Sequence, residues 1–202
     1  MINQQWWKDI LRSPLPGEKA HQRMIPEIRE SFIHEEDPVE AAVMILLYPS
    51  SGKPSLVLIK RNEYPGHHSA QVSLPGGMRE VADESLEKTA IRETCEELGI
   101  PGSMQILGSL TPLYIPVSNY LVTPFVGWMN RRPDFQPDIS EVQYIIEAPL
   151  DTLTDPVNQG NETIFRHGAM IEVPCYLVGK ELIWGATAMI LSEFLELVSR
   201  MP

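Results

Sequence analysis

The sequence predicts an α/β (α+β) fold: a mixed β-sheet with helices on its faces. Three observations predict it. Strand candidates dominate the chain from Ala41 to Trp184, the first two read as a hairpin, and two amphipathic helical stretches flank the rest. The 202 residues suffice for one domain, or for one domain with an extension. Residues 1–38 read as an N-terminal extension packed on the domain, and 39–202 as the domain itself.

Taken in order, Trp6 and Trp7 begin a short amphipathic stretch through Leu11, which "SPLPG" at Ser13–Gly17 breaks. Ala20–Phe32 is irregular or partly helical, punctuated by Pro26. "AAVMILLYP" (Ala41–Pro49) is a continuous apolar run, as a buried strand requires. "PSSGKP" makes a turn, and "SLVLIKR" (Ser55–Arg61) returns as the second arm of the hairpin. "AQVSLPGG" is a short strand ending in a glycine turn. A helix then runs from about Asp83 to Leu98. Asp83 or Ser85 can cap it, Gly99 can end it, and Pro101 forbids its continuation. Further strands are expected at Met104–Ile115, Thr123–Met129, Val142–Glu147, Ile164–His167, Ile171–Val178 and Leu182–Trp184. A last amphipathic helix spans about Ala186–Arg200.

Composition narrows the function. The net charge of −11 lacks the basic footprint that nucleic acid demands. No run of about 18 apolar residues is present to span a membrane. The opening "MINQQWWKDILRS" lacks the apolar core of a signal peptide, so the expected location is the cytoplasm. Cys95 and Cys175 form no CxxC pair or Cys/His cluster, which suggests neither a zinc site nor a disulfide framework. An anionic substrate remains compatible with this acidic chain, provided that bridging cations or a local basic patch receive it.

The helix at 83–98 poses the chemical question. At 100° per residue, Glu93, Glu96 and Glu97 fall within roughly a third of its circumference. Ile91, Thr94, Cys95 and Leu98 fall opposite, toward a core. The carboxylates are expected as one exposed stripe. Like charges at these spacings cost a few tenths of a kcal/mol per pair, and here they also sit at the unfavourable end of the helix dipole. A divalent cation would supply the reason. Mg²⁺ and Mn²⁺ prefer carboxylate oxygens, retain waters and bridge to phosphate. Arg92 can hold a neighbouring carboxylate, and Gly76-Gly77 lets backbone approach closely. A solvated acidic face with no ligand is the alternative for three glutamates alone. The company of Gly77, Glu84 and Arg92 weighs against it.

These residues resemble the box of the Nudix hydrolases. That box reads Gly, five residues, Glu, seven residues, then Arg-Glu-U-x-Glu-Glu-x-Gly-U, with U aliphatic. Arg92 to Ile100 follow the second part, with Thr94 in place of an aliphatic residue. Glu84 keeps the spacing to Arg92 but stands six residues beyond Gly77. Asp83 keeps the spacing to Gly77 and loses that to Arg92. Upstream, "LVLIKRNEYPGHHSAQVSLPGG" is similar to the motif of the coenzyme A diphosphatase branch, matched at Arg61, His68, Gln71, Val72, Ser73, Pro75, Gly76 and Gly77. Ala70 stands where glycine is usual, and Leu74 where phenylalanine is. "IWGATAMIL" (Ile183–Leu191) is similar as well, so the resemblance covers about residues 40–200.

The resemblance implies an α/β/α sandwich around a mixed sheet. It also implies metal-dependent cleavage of the pyrophosphate of coenzyme A into 3′,5′-ADP and 4′-phosphopantetheine. Glu93, Glu96 and Glu97 become the expected ligands of Mg²⁺ or Mn²⁺ and, with Arg92 as orienter, the catalytic group. Either Glu93 or Glu97 could deprotonate the attacking water. Glu84 is expected to partner Arg92, and the Gly77 carbonyl to complete the metal shell. Arg61, His68, Gln71, Gly76 and Gly77 are the expected substrate contacts; His67 is expected to face solvent. Glu141 or Glu147 could add a further acid–base carboxylate. Cys95 reads as a small core hydrophobe and Trp184 as core packing. The expected partner is a CoA-like nucleotide, with no nucleic acid and no membrane, and with room for a homodimer. The rivals are a Nudix enzyme for ADP-ribose, a dinucleotide polyphosphate or an oxidised nucleotide, and a Nudix-fold regulator that binds without cleaving.

Overall fold

The computed structural model describes residues 4–26, 34–63, 70–166 and 168–200. Two short helices open the chain, α1 (Gln4–Ile10) and α2 (Glu18–Gln22). The hairpin follows as β1 (Val39–Ser50) and β2 (Lys53–Arg61), then β3 (Val72–Ser73), β4 (Gly76–Met78) and helix α3 (Leu86–Leu98). Next come β5 (Gln105–Ser109), β6 (Leu113–Ile115), β7 (Tyr120–Trp128), β8 (Val142–Pro149) and the short α4 (Leu150–Thr154). The chain closes with β9 (Gln159–Arg166), β10 (Ala169–Val178), β11 (Glu181–Trp184) and α5 (Gly185–Val198).

The main sheet runs β3-β2-β1-β7-β5, with β4 on β1, β6 on β7 and β8 on β2. β1 and β7 are parallel while β1 and β2 are antiparallel, so the sheet is mixed as expected. β9, β10 and β11 form a second, three-stranded sheet.

β1 reads as an unbroken apolar run because both its faces are covered. Side chains alternate along a strand. Ala41, Ile45 and Leu47 join the cluster that includes Met189, Ile190, Leu191 and Phe194 of α5. Ala42, Met44, Leu46 and Tyr48 join the cluster that includes Ala90 and Leu98 of α3. The sheet is thus the middle layer between α3 and α5. Truncating a buried leucine such as Leu47 to alanine would cost about 2–5 kcal/mol.

The N-terminal residues fasten onto α5. Trp7 stacks on Phe194 with ring centroids 5.1 Å apart. Glu193, fully buried, accepts the Gly17 N–H (3.0 Å) and the Thr111 hydroxyl (2.7 Å) on Oε1. On Oε2 it meets the Thr111 N–H (3.2 Å) and His21 Nε2 (3.0 Å). Burial pushes the Glu193 carboxyl up, but the bonds from His21, Thr111 and Gly17 outweigh it and hold its pKa below the ordinary value.

Several expectations need correction. The single strand at 104–115 is two, β5 and β6, with Leu110 bonded to the Pro124 carbonyl between them and Thr111 turned to Glu193. β9 begins five residues earlier than expected, in a polar stretch. Helix α4 was not expected. Trp184 is half-buried at the N-cap of α5. Cys95 is half-buried against the α3-side cluster. Among the described residues, no helix is long and apolar enough to cross a membrane.

Candidate active site

Helix α3 starts at Ser85, whose hydroxyl accepts the Lys88 N–H (3.3 Å), and ends at Gly99 in the left-handed region (φ 61°). Asp83 precedes it and ties its first turns together. Asp83 Oδ2 accepts the Glu80 N–H (2.9 Å) and the Thr89 hydroxyl (3.0 Å). Arg92 then places its fork on the same carboxylate, Nε to Oδ1 at 3.1 Å and Nη2 to Oδ2 at 3.0 Å. The hydrogen bonds from Arg92 hold the Asp83 carboxyl well below the usual range. Glu84, the expected partner of Arg92, is exposed instead. The spacing from Gly77 therefore decides the geometry: position 83 is the one where a carboxylate meets the Arg92 fork, the Thr89 hydroxyl and a backbone N–H together.

The rest of the Arg92 guanidinium spreads over the site's surroundings. Nη2 donates to the Met78 carbonyl (3.1 Å), and Nη1 lies 2.9 Å from Glu93 Oε1 and 3.0 Å from Glu96 Oε2. One arginine thus links the loop before α3, strand β4 and two glutamates of the helix.

The three glutamates do not form one exposed stripe. The Glu96 side chain is 59% exposed, that of Glu93 16% and that of Glu97 1%. Angles around a helix give direction but not what lies above it. Here β4 passes over the helix at Glu93 and Glu97. Glu97 Oε2 accepts the Gly76 N–H at 2.7 Å. A Cβ on Gly77 would sit 2.5 Å from the Glu93 carboxyl carbon, and one on Gly76 (φ 148°) would overlap the Ala42 carbonyl. Gly76 is required by its close approach to backbone and by its φ, whereas a side chain at 77 would press on the carboxylate tip of Glu93.

Burial shapes the acidity. It pushes the Glu97 carboxyl up to about 7, against the opposing Arg61 charge and Gly76 N–H, with Glu93 and Glu141 adding to the rise. Burial also raises Glu93; Arg92 opposes, and the Glu96 and Glu141 charges reinforce.

Glu93 and Glu97 face a cavity of about 320 Å³. Arg61, Gly76, Gly77 and Glu141 complete its acidic end. Gln71 and Ser73 of the upstream motif also line it. The rest of the lining is largely apolar, with Ala41, Val43, Ile115, Val122 and Ile190, and Tyr120 beside them. Arg92 and Glu96 lie outside this lining. His67 and His68 lie outside the described residues. Glu147, the other expected carboxylate, is gripped by Arg132 through both Nε and Nη2 (2.8–3.1 Å), away from the cavity. The wall that α5 supplies through Ala186, Thr187 and Ile190 was not expected. The apolar helical period shows that α5 is buried but not which side chains reach the cavity.

Among the described residues, no three His, Cys, Asp or Glu side chains are gathered as a ready metal cage. The donor set still fits a hard cation. Glu97 Oε1 is buried and accepts no hydrogen bond from the described residues, and Glu93 shares its cavity. Mg²⁺ keeps most of its waters and needs only one or two carboxylates from the protein.

Residues 38–166 match the pattern of the NUDIX domain. The chain belongs to the Nudix family. It is a Nudix hydrolase. It is 34% identical over 158 residues to an uncharacterized Nudix hydrolase, NudL, of Photorhabdus laumondii, which covers 78% of this chain and 84% of that one. It is 33% identical over 166 residues to the human mitochondrial coenzyme A diphosphatase NUDT8, covering 80% and 70% respectively. Among solved structures, the Nudix hydrolase RenU of M. smegmatis matches with a TM-score of 0.54 at 16% identity, over 89% of this chain and 96% of that one. A MutT/nudix protein of Enterococcus faecalis matches at 0.53 and 19% identity, over all of this chain and 76% of that one. At these identities the structures speak for the Nudix fold alone.

Proposed function

We propose that this Nudix hydrolase cleaves the pyrophosphate bond of coenzyme A or an acyl-CoA, giving 3′,5′-ADP and (acyl-)4′-phosphopantetheine. The observation that carries the reading is the cavity itself: a carboxylate end beside a close-packed glycine turn, continuous with an apolar wall. CoA pairs a pyrophosphate with a long arm whose gem-dimethyl and methylene groups suit an apolar wall, while its two amides and its hydroxyl need polar partners. ADP-ribose offers a second sugar instead, whose hydroxyls need polar partners when buried. The likeness to NUDT8 and the motif around Arg61, Gln71 and Ser73 support the same reading.

Glu93, Glu96 and Glu97 would hold Mg²⁺ or Mn²⁺, Glu93 and Glu97 from inside the cavity and Glu96 from its outer edge. When bound, the cation would neutralise substrate phosphates and lower the pKa of water. The chain's own residues do the rest. Arg92 fixes the rotamers of Glu93 and Glu96. The Gly76-Gly77 turn leaves room for the pyrophosphate to reach the carboxylates. Glu141, which lines the same end of the cavity, would serve as an additional proton acceptor. Gln71, which lines the cavity, would touch substrate, and His68 of the same motif is assigned that role as well. Residues 1–38 act as a brace on a domain formed by 39–202, and the enzyme works in the cytoplasm. A regulator that binds without cleaving would have no use for a buried, paired carboxylate site of this kind.

The test is kcat/KM on CoA, dephospho-CoA and ADP-ribose with Mg²⁺ present. CoA is expected to be the best substrate of the three. A preference for ADP-ribose would overturn the reading.

A further inference from the structure

Arg61 belongs to the motif that resembles a CoA-recognition sequence, yet its guanidinium is turned inward. It is the last residue of β2, where the pairing with β8 slips between Lys60 and Arg61. Such irregularities re-aim a side chain. Arg61 Nε donates to Ser73 Oγ at 3.0 Å, and Nη2 donates to the Gly76 carbonyl at 2.9 Å. The same Nη2 stands 3.3 Å from Glu97 Oε1, the buried oxygen that accepts no hydrogen bond from the described residues. Glu97 Oε2 in turn accepts the Gly76 N–H. Arg61, Gly76 and Glu97 therefore form a closed ring in which both the N–H and the carbonyl of Gly76 are held. Gly76 occupies a conformation open to glycine, and the next residue lies against Glu93.

We propose that Arg61 is a positioning residue and not a reader of the substrate's 3′-phosphate. It locks the Gly76-Gly77 turn over the two inner glutamates and serves Glu97 as the resident counter-ion that a divalent cation must share or displace. The inference rests on the reading that Glu93 and Glu97 hold such a cation. Arginine suits both tasks, because its planar fork can serve a hydroxyl, a carbonyl and a carboxylate at once, whereas an ammonium serves as a point charge.

The decisive measurement needs no substrate. Mn²⁺ is titrated into the metal-free protein and followed by the EPR signal of the free ion, in the parent and in Arg61→Ala, Arg61→Gln and Arg61→Lys. Removing a positive charge from the edge of a cation site strengthens the site. Both neutral variants should bind Mn²⁺ about tenfold tighter than the parent, which corresponds to about 1.4 kcal/mol. Arg61→Gln, being close in shape, covers the case in which Arg61→Ala does not fold. Arg61→Lys keeps the charge and should bind Mn²⁺ within about threefold of the parent. On substrate, all three should lose kcat, with KM for CoA little changed. Unchanged or weaker Mn²⁺ binding in the neutral variants overturns the counter-ion role. A KM increase confined to CoA, absent for dephospho-CoA, assigns Arg61 to the substrate's 3′-phosphate and overturns the positioning role. Because the Mn²⁺ titration involves no nucleotide, it stands or falls separately from the choice of CoA as substrate.

Discussion

Replacing Glu97 by glutamine isolates what a buried carboxylate costs this fold. The amide retains an acceptor for the Gly76 N–H and removes the charge. In the folded protein the Glu97 carboxyl is pushed from the ordinary 4.5 to about 7, first by burial. Between those two values the folded chain holds a proton that the unfolded chain has released. Parental stability therefore falls as pH rises from about 4.5 to about 7 and levels off above. At about 1.36 kcal/mol per pH unit, the full rise corresponds to about 3 kcal/mol. The glutamine variant lacks this loss. In EDTA, the stability of Glu97→Gln minus that of the parent should grow by about 2–3 kcal/mol between pH 5 and pH 8, or roughly 4–12 °C in melting temperature for a chain of this size. Unfolding is followed by circular dichroism, thermally and in urea. The difference at pH 5 absorbs every pH-independent effect of the substitution, so only its growth with pH is the readout. A difference that stays flat across the range would show that Glu97 is already charged at pH 5, and the account of its burial would be refuted. With Mg²⁺ present the same variant should lose at least about 10²-fold in kcat.

Hydrolysis should disappear in EDTA and return with Mg²⁺ or Mn²⁺; full turnover in a metal-free preparation would remove the metal from the mechanism. Glu141→Gln should lower kcat by about 10²-fold if it serves as a proton acceptor, whereas Glu147→Gln should leave kcat within about threefold, because Glu147 is held by Arg132 away from the cavity. Steady-state rates for the two variants separate these roles. Gly77→Ala places a methyl group against the Glu93 carboxylate and should lower kcat by about tenfold or more while the circular dichroism spectrum is kept; a fully active alanine variant would mean that the turn has slack.

The hairpin β1–β2 was legible because apolar runs covered on both faces leave no polar gaps to misread. The box was legible because three carboxylates and an arginine at fixed helical spacing have a simple chemical reason. Other features depend on the fold around them. Glu97 and Glu96 are neighbours with the same side chain, yet one is buried and the other exposed, because β4 crosses the helix above only one of them. Nothing local to α3 reports the position of β4. Asp83 and Glu84 offered two spacings, and the choice fell to Thr89 and the Glu80 N–H, which converge on position 83. Glu141 reaches the cavity from a strand end some 44 residues beyond Glu97. Helix α4, five residues long, is too short to show a period.

The fastening of the first residues onto α5 has a consequence for how the chain is made. Gly17 and His21 meet Glu193 across 176 and 172 residues of sequence. At a synthesis rate of about 5–20 residues per second, α1 and α2 leave the ribosome roughly ten seconds or more before their partner exists. During that interval Trp7, later fully buried, lacks its stacking partner Phe194. The cavity is equally unfinished, since its α5 wall arrives with Glu193 on the same helix. Nascent chains stalled before residue 185 should therefore carry the hairpin and the acidic helix without a closed site. Release of α5 should protect Trp7 and complete the substrate pocket in the same step.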